Sequence, residues 1–252
     1  MDKYKETEDF FNKNANSYAT SKSHANDDDL KILINSLNLK DNYTGLDIAT
    51  GTGFTAVELA KHIKSVIAID ITDNMINEAK KLANQNSLDN IEFINENAEH
   101  MEFNDNYFDV ITCRRAAHHF HDKNKVMKES SRVLKNNGLF GIDDMTTYNR
   151  SIDALNNLEK IRDRSHVEML SKSEWINTFE NNNFDVIQLY SFNRVIPFSE
   201  WLRPISVDSN TGKKCRDFIL NASDDFLRDI SWDSKNETFI KRWIVIIGKK
   251  IY

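Results

Sequence analysis

The chain is poor in the residues that bend, break or cross-link a backbone: among 252 residues there are 7 glycines, 2 prolines and 2 cysteines. The cysteines, Cys113 and Cys215, are too few for a disulfide framework and lack metal-ligand spacing. No apolar run reaches membrane-spanning length, so no membrane partner is expected. The first residues, Met1-Asp2-Lys3-Tyr4-Lys5-Glu6, are charged and lack the apolar core of a secretory signal, so a cytoplasmic location is expected. Excess positive charge is missing too. A net charge of -6 argues against nucleic acid as a partner, because phosphate contacts need a basic footprint. No repeat or linker interrupts the chain, and its length suits a single domain over residues 1–252.

Against that scarcity the glycines of Gly45-Leu46-Asp47-Ile48-Ala49-Thr50-Gly51-Thr52-Gly53-Phe54 stand out. A short apolar strand over 45–50 runs into a glycine turn and then a helix. A second strand, Ser65-Val66-Ile67-Ala68-Ile69-Asp70, ends on an acid. That order builds a nucleotide site: glycines let backbone approach a ligand, and Asp70 falls where it can accept hydrogen bonds from a ribose diol. Further strands are expected over 91–94, 107–113, 139–143, 184–195 and 239–248. Helices are expected at 74–82, 126–134, 149–163 and 172–182, with Asn136-Asn137-Gly138 stopping the second of these. Strands alternating with helices predict an α/β fold with a mostly parallel sheet and helices on both faces. Residues 1–40 form an amino-terminal helical cover, and 197–236 a helical insertion between the last two strands.

Two cofactors compete for this site. Gly51-Thr52-Gly53-Phe54-Thr55-Ala56 satisfies the dinucleotide pattern of a nicotinamide enzyme. Against it, Asp47 lies inside the first strand, where it can orient a ligand's amino group, and Asn95-Glu96-Asn97-Ala98-Glu99 forms a polar turn suited to an adenine edge. No Tyr-x-x-x-Lys pair follows the fifth strand.

At this point a family resemblance enters. Leu46-Asp47-Ile48-Ala49-Thr50-Gly51-Thr52-Gly53, Ile69-Asp70, Tyr107-Phe108-Asp109-Val110 and Arg132-Val133-Leu134-Lys135-Asn136-Asn137-Gly138 come in the order found in class I S-adenosylmethionine-dependent methyltransferases. The chain most resembles their ubiquinone/menaquinone-biosynthesis-like small-molecule branch. Cys113-Arg114-Arg115-Ala116-Ala117-His118-His119-Phe120 and Arg162-Asp163-Arg164-Ser165-His166-Val167 are similar to segments of one bacterial subgroup there. The resemblance covers roughly residues 10–250.

It implies a Rossmann-like seven-stranded sheet with an antiparallel last strand, the helical insertion acting as a lid, and S-adenosylmethionine as cofactor. Carried across, Asp47, Ala49, Thr50, Gly51 and Gly53 cradle the methionine part and Asp70 binds the ribose. Ile71 and Met75 line the adenine, with Asn97 and Ala98 at its edge. The family usually has Asp where Asn97 stands; an Asn side-chain oxygen still accepts a hydrogen bond.

The methyl group of a sulfonium needs alignment and exclusion of water more than a protein nucleophile. The acceptor is expected to be a small molecule. Tyr18 either closes over the cofactor, where an aromatic face favours a sulfonium, or docks the first helix together with Phe10 and Phe11. His118, His119 and His166 are the candidate bases, although the default reading of His166 is a surface residue and that of Trp175 a helix-packing residue. Arg114 either holds a carboxylate of cofactor or substrate or pairs with surface acids. A metal held by His118, His119 and His121 is not expected, because adjacent residues diverge. A nicotinamide oxidoreductase, a module that binds S-adenosylmethionine without transfer, and sulfonium chemistry other than methyl transfer remain the alternatives.

Overall fold

The computed structural model describes residues 4–19 and 28–252, and the side chains of all these except residues 16–19. In chain order come α1 (Lys5–Ala19), α2 (Asp28–Ser36), β1 (Thr44–Ile48), α3 (Phe54–Ala60), β2 (Ser65–Asp70), α4 (Asp73–Gln85), β3 (Ile91–Asn95) and β4 (Phe108–Arg114). A short 3₁₀ turn (Ala117–His119) leads to α5 (Lys123–Val133), β5 (Leu134–Thr146), α6 (Ile152–Arg162), α7 (Lys172–Glu180) and β6 (Phe184–Pro197). Then follow α8 (Phe198–Trp201), α9 (Asn210–Leu220), α10 (Asp224–Asp229) and β7 (Thr238–Lys250).

The strands form one seven-stranded sheet in the order β3-β2-β1-β4-β5-β7-β6. Neighbours are parallel from β3 to β5, and β7 runs antiparallel to both β5 and β6. β7 shows why the sheet is covered on both faces. Its side chains alternate, so Ile244 and Ile246 join one core while Val245 and Ile247 join the other. The first core takes Val126 and Met127 of α5 and Trp175 and Phe179 of α7; the second takes Leu30, Leu33 and Ile34 of α2 and Ala56 and Leu59 of α3. A third cluster, around Met145, Phe239 and Trp243, is closed by α6 and by helices α8 to α10. Those last three helices lie between β6 and β7, where the insertion was expected. Ser171 begins α7 with a reciprocal capping box to Glu174.

Element boundaries moved at one place that matters. The stop at Asn136-Asn137-Gly138 is not a gap between helix and strand: β5 starts at Leu134 and bulges. Leu134 pairs with Phe108, and the next pair is Leu139 with Val110. Asn137 sits at φ 65 within the bulge, a conformation that asparagine tolerates. β5 also runs on past Asp143 to Thr146, because β7 continues to pair with it there.

Candidate active site

β1 and β4 are adjacent and in register, Ile48 opposite Cys113. The chain therefore leaves both strands side by side, at the carboxyl edge where open parallel sheets bind ligands. A pocket of about 990 Å³, its open mouth included, lies there. Ala49, Thr50, Gly51, Asp70, Ile71, Met75, Asn97, Ala98, Arg114 and His119 all line it, so ten of the expected residues meet in one place.

The glycine turn is made by backbone strain that only some residues tolerate. Ala49 sits at φ 51, Gly51 at φ 55 and Gly53 at φ 88. The two glycines serve different ends. A Cβ on Gly51 meets nothing within 4 Å, so its backbone faces open pocket; one on Gly53 falls 2.8 Å from the Ala79 Cβ. Gly53 therefore does not line the pocket but lets α3 approach α4.

Asp70, at the end of β2, spans the turn. One carboxylate oxygen accepts the Gly51 N–H at 2.8 Å and the other the Thr72 N–H at 2.9 Å. A carboxylate has about four lone-pair sites, so roughly half remain for a ligand. Burial pushes the Asp70 carboxyl above its ordinary value, although both N–H groups favour the charged form.

Asp47 corrects an expectation. It is 1% exposed and outside the pocket, accepting the hydroxyls of Thr50 at 2.6 Å and Thr112 at 2.7 Å. Burial raises its carboxyl to about 6 despite those two bonds. It pins the turn from beneath, each carboxylate oxygen accepting one of these hydroxyls.

Asn97 makes its own turn, its side-chain oxygen accepting the Glu99 N–H at 2.8 Å. One lone pair of that oxygen is thus already used.

The three histidine rings cluster, His118 lying 4.1 Å from His119, but their surroundings differ. His119 lines the pocket. His118 is buried behind it, its Nδ1 2.5 Å from Asp144 Oδ1 and its own N–H on Asp144 Oδ2 at 2.9 Å. His166 is no surface residue: it is 4% exposed, 2.7 Å from Asn156 Oδ1 through Nε2, with its ring 5.5 Å from that of His118. Burial, then the neighbouring His118, takes the His166 imidazole down to about 2. Among the described residues no group of three or more His, Cys, Asp or Glu side chains is placed to hold a metal ion. Trp175 is a packing residue, 1% exposed.

Arg114 lines the pocket, but the acids it meets are buried, not on the surface: Asp143 at 3.1 Å and Asp29 at 3.5 Å. Arg115 reaches the same Asp29 at 2.7 Å and lies 4.6 Å over the Trp243 ring. Burial alone would raise Asp29, yet Arg115 and Arg114 hold its carboxyl well below the ordinary range.

Helix α1 contributes to the pocket wall. The Tyr18 side chain lies outside the described residues. Among the described residues of this segment, Tyr4, Thr7 and Phe11 line the pocket, with Ala15 buried further along α1. Tyr4 donates its hydroxyl to Glu99 at 2.7 Å, and Phe11 sets its ring edge-on to His119 at 4.9 Å. The signal was present, since positions 4, 7, 11 and 15 share one helix face. Glu99, Phe120 and His121 also line the pocket wall; the sequence segments that hold them were singled out, but none of the three was given a ligand role.

A model of the methyltransferase domain family matches residues 39–194. The chain belongs to that family. It is a class I S-adenosylmethionine-dependent methyltransferase, which decides the glycine turn against the nicotinamide reading. The uncharacterized methyltransferase YcgJ of Bacillus subtilis (strain 168) is 31% identical over 246 residues, covering 95% of this chain and 97% of that protein. A putative methyltransferase from Bacillus halodurans C-125 superposes with a TM-score of 0.84 at 28% identity, over 90% of this chain and 100% of that one. The ubiquinone/menaquinone biosynthesis C-methyltransferase UbiE of Rickettsia prowazekii (strain Madrid E) is 43% identical over 102 residues, which is 38% of this chain and 41% of that protein. No described helix is long and apolar enough to cross a membrane.

Proposed function

We propose that this pocket holds S-adenosylmethionine and that the methyl acceptor is a small molecule bound beside it, under α1. Asp70 carries the reading: a buried carboxylate that faces the pocket, is held by backbone N–H groups and has acceptor capacity to spare for a ribose diol. Ala49, Thr50 and Gly51 then flank the methionine part, Ile71 and Met75 the adenine, and Asn97 and Ala98 its edge. Asp47 and Gly53 act at one remove, shaping the turn. The open space over Gly51 suits close approach of a ligand.

When bound, S-adenosylmethionine supplies an electrophilic methyl group. The protein's task is to align the acceptor and keep water away. Phe11 and Phe120 bring aromatic rings to the pocket wall, which favours a cationic sulfur. Of the candidate bases only His119 faces the acceptor side.

Calorimetric titration with S-adenosylmethionine, S-adenosylhomocysteine and NAD(P) tests the reading. Binding of the two sulfur nucleotides, lost in Asp70→Ala, is the expected result; tight binding that survives Asp70→Ala overturns the site assignment.

A further inference from the structure

The segment Asp163-Arg164-Ser165-His166-Val167-Glu168, which the cofactor site leaves unexplained, is bound to the turn that carries His118 and His119. Val167 and Glu168 donate their N–H groups to the His118 carbonyl at 2.9 and 3.0 Å. His119 Nδ1 lies 3.0 Å from the Ser165 carbonyl oxygen and 3.1 Å from the Ser165 hydroxyl. Asp163 Oδ1 takes the Ser165 hydroxyl proton at 2.6 Å and the Ser165 N–H at 2.9 Å. Asp163 and Ser165 are 3% and 2% exposed, so water does not compete for these bonds.

This network fixes a proton. A carbonyl oxygen only accepts, and the single hydrogen of the Ser165 hydroxyl is already on Asp163, so that oxygen also accepts from the imidazole. Nδ1 faces two acceptors and must carry the hydrogen. Nε2 then carries the lone pair, and it meets no hydrogen-bond partner among the described residues while the ring lines the pocket.

We propose that Asp163 and Ser165 are positioning residues that hold His119 as its Nδ1–H tautomer, and that His119 Nε2 accepts a hydrogen bond from a hydroxyl group of the methyl acceptor, so that the enzyme methylates oxygen. The proposal rests on the methyltransferase site described above. As the acceptor oxygen bonds to the methyl carbon, the carbon–sulfur bond breaks with its electron pair on sulfur. The hydroxyl proton passes to Nε2 and from there to solvent. Burial, and then His118, hold the His119 imidazole down at about 3, which makes it a weak base. A hydroxyl becomes strongly acidic as its oxygen is alkylated, so its proton moves readily to a bare imidazole nitrogen.

The tautomer is read directly by two-bond proton–nitrogen correlation spectra of the nitrogen-15-labelled protein. A protonated Nδ1 with a bare Nε2 at neutral pH is expected for His119; an Nε2–H tautomer or an imidazolium overturns the proposal. In Asp163→Ala the serine hydroxyl is released to donate to Nδ1, so the Nε2–H tautomer should rise. Adding Ser165→Ala removes that donor and should restore Nδ1–H through the carbonyl alone. A folded Asp163→Ala protein with an unmoved tautomer overturns the positioning role; if that variant does not fold, the wild-type spectrum still decides. Phenol titrated into the protein with S-adenosylhomocysteine present should shift the His119 Nε2 resonance, and anisole, which has no hydroxyl, should not. Equal responses overturn the hydroxyl assignment. Calorimetry of S-adenosylhomocysteine, run first, reports separately on the cofactor reading, and the tautomer is measured whichever way it falls.

Discussion

Two turns leave neighbouring strands and face the same pocket, yet they are built in opposite ways. The turn after β1 begins with a positive-φ residue, Ala49, and the turn after β4 with another, Arg115. The first offers backbone, and two acids tie it down: Asp47 through the Thr50 hydroxyl, and Asp70, 19 residues on from Gly51, through its N–H. The second offers side chains, and its partners come from much later in the chain: Asp144, 26 residues on from His118, and Ser165, 46 residues on from His119. Backbone needs only a bend and an anchor to become a site. An imidazole has two nitrogens and two neutral tautomers, so it becomes a defined group only when other elements choose between them.

The comparison breaks most visibly at Asp70. If Asp70 binds the ribose as proposed, Asp70→Ala removes two charge-assisted bonds, and S-adenosylhomocysteine affinity should fall roughly 100-fold, about 3 kcal/mol. Ser165→Ala, acting on the other turn, should leave that affinity within a factor of about two; a loss as large as that of Asp70→Ala would mean that the two turns are one unit.

The glycines sharpen the difference within the first turn. Gly53→Ala combines a left-handed backbone with a clash on Ala79, and should cost about 2–3 kcal/mol in urea unfolding. Gly51→Ala meets open space and should cost only about 1 kcal/mol of fold stability, while weakening cofactor binding.

The second turn should respond to acid. The His119 and His166 imidazoles are lowered to about 3 and about 2, below an unfolded value near 6.5. The stability tied to their neutral forms is therefore complete above pH 6.5 and is lost as the pH falls toward those folded values. Each histidine adds a slope of about 1.4 kcal/mol per pH unit across that range. His166→Gln keeps a donor for Asn156 but cannot titrate, so its stability curve should be flatter than the wild type by that amount for one histidine.

A modest effect is expected at the cover. Tyr4→Phe removes the hydroxyl bond to Glu99, which keeps the Asp122 N–H at 2.9 Å. S-adenosylhomocysteine should bind about fivefold more weakly, about 1 kcal/mol, in the same calorimetric titration. A larger loss would show that the cover belongs with the first turn.

The amino-acid order by itself determined the alternation of strands and helices, the glycine turn and Asp70, because each depends on a periodicity or a conformation encoded within a few tens of residues. Gly51 and Asp70 could be paired on paper since one strand–turn–helix–strand unit holds both. Asp47 was misplaced for a related reason: strand position says that an acid is near a turn, but only Thr112, on a strand that pairs with β1, shows that the acid points into the core. Tertiary structure alone decided which histidine faces the pocket, which nitrogen bears its proton, and that Arg114 meets buried acids. Those outcomes are set by a limited supply of acceptors in a dry interior, where every proton must find a partner, and the partners come from segments that the sequence keeps far apart.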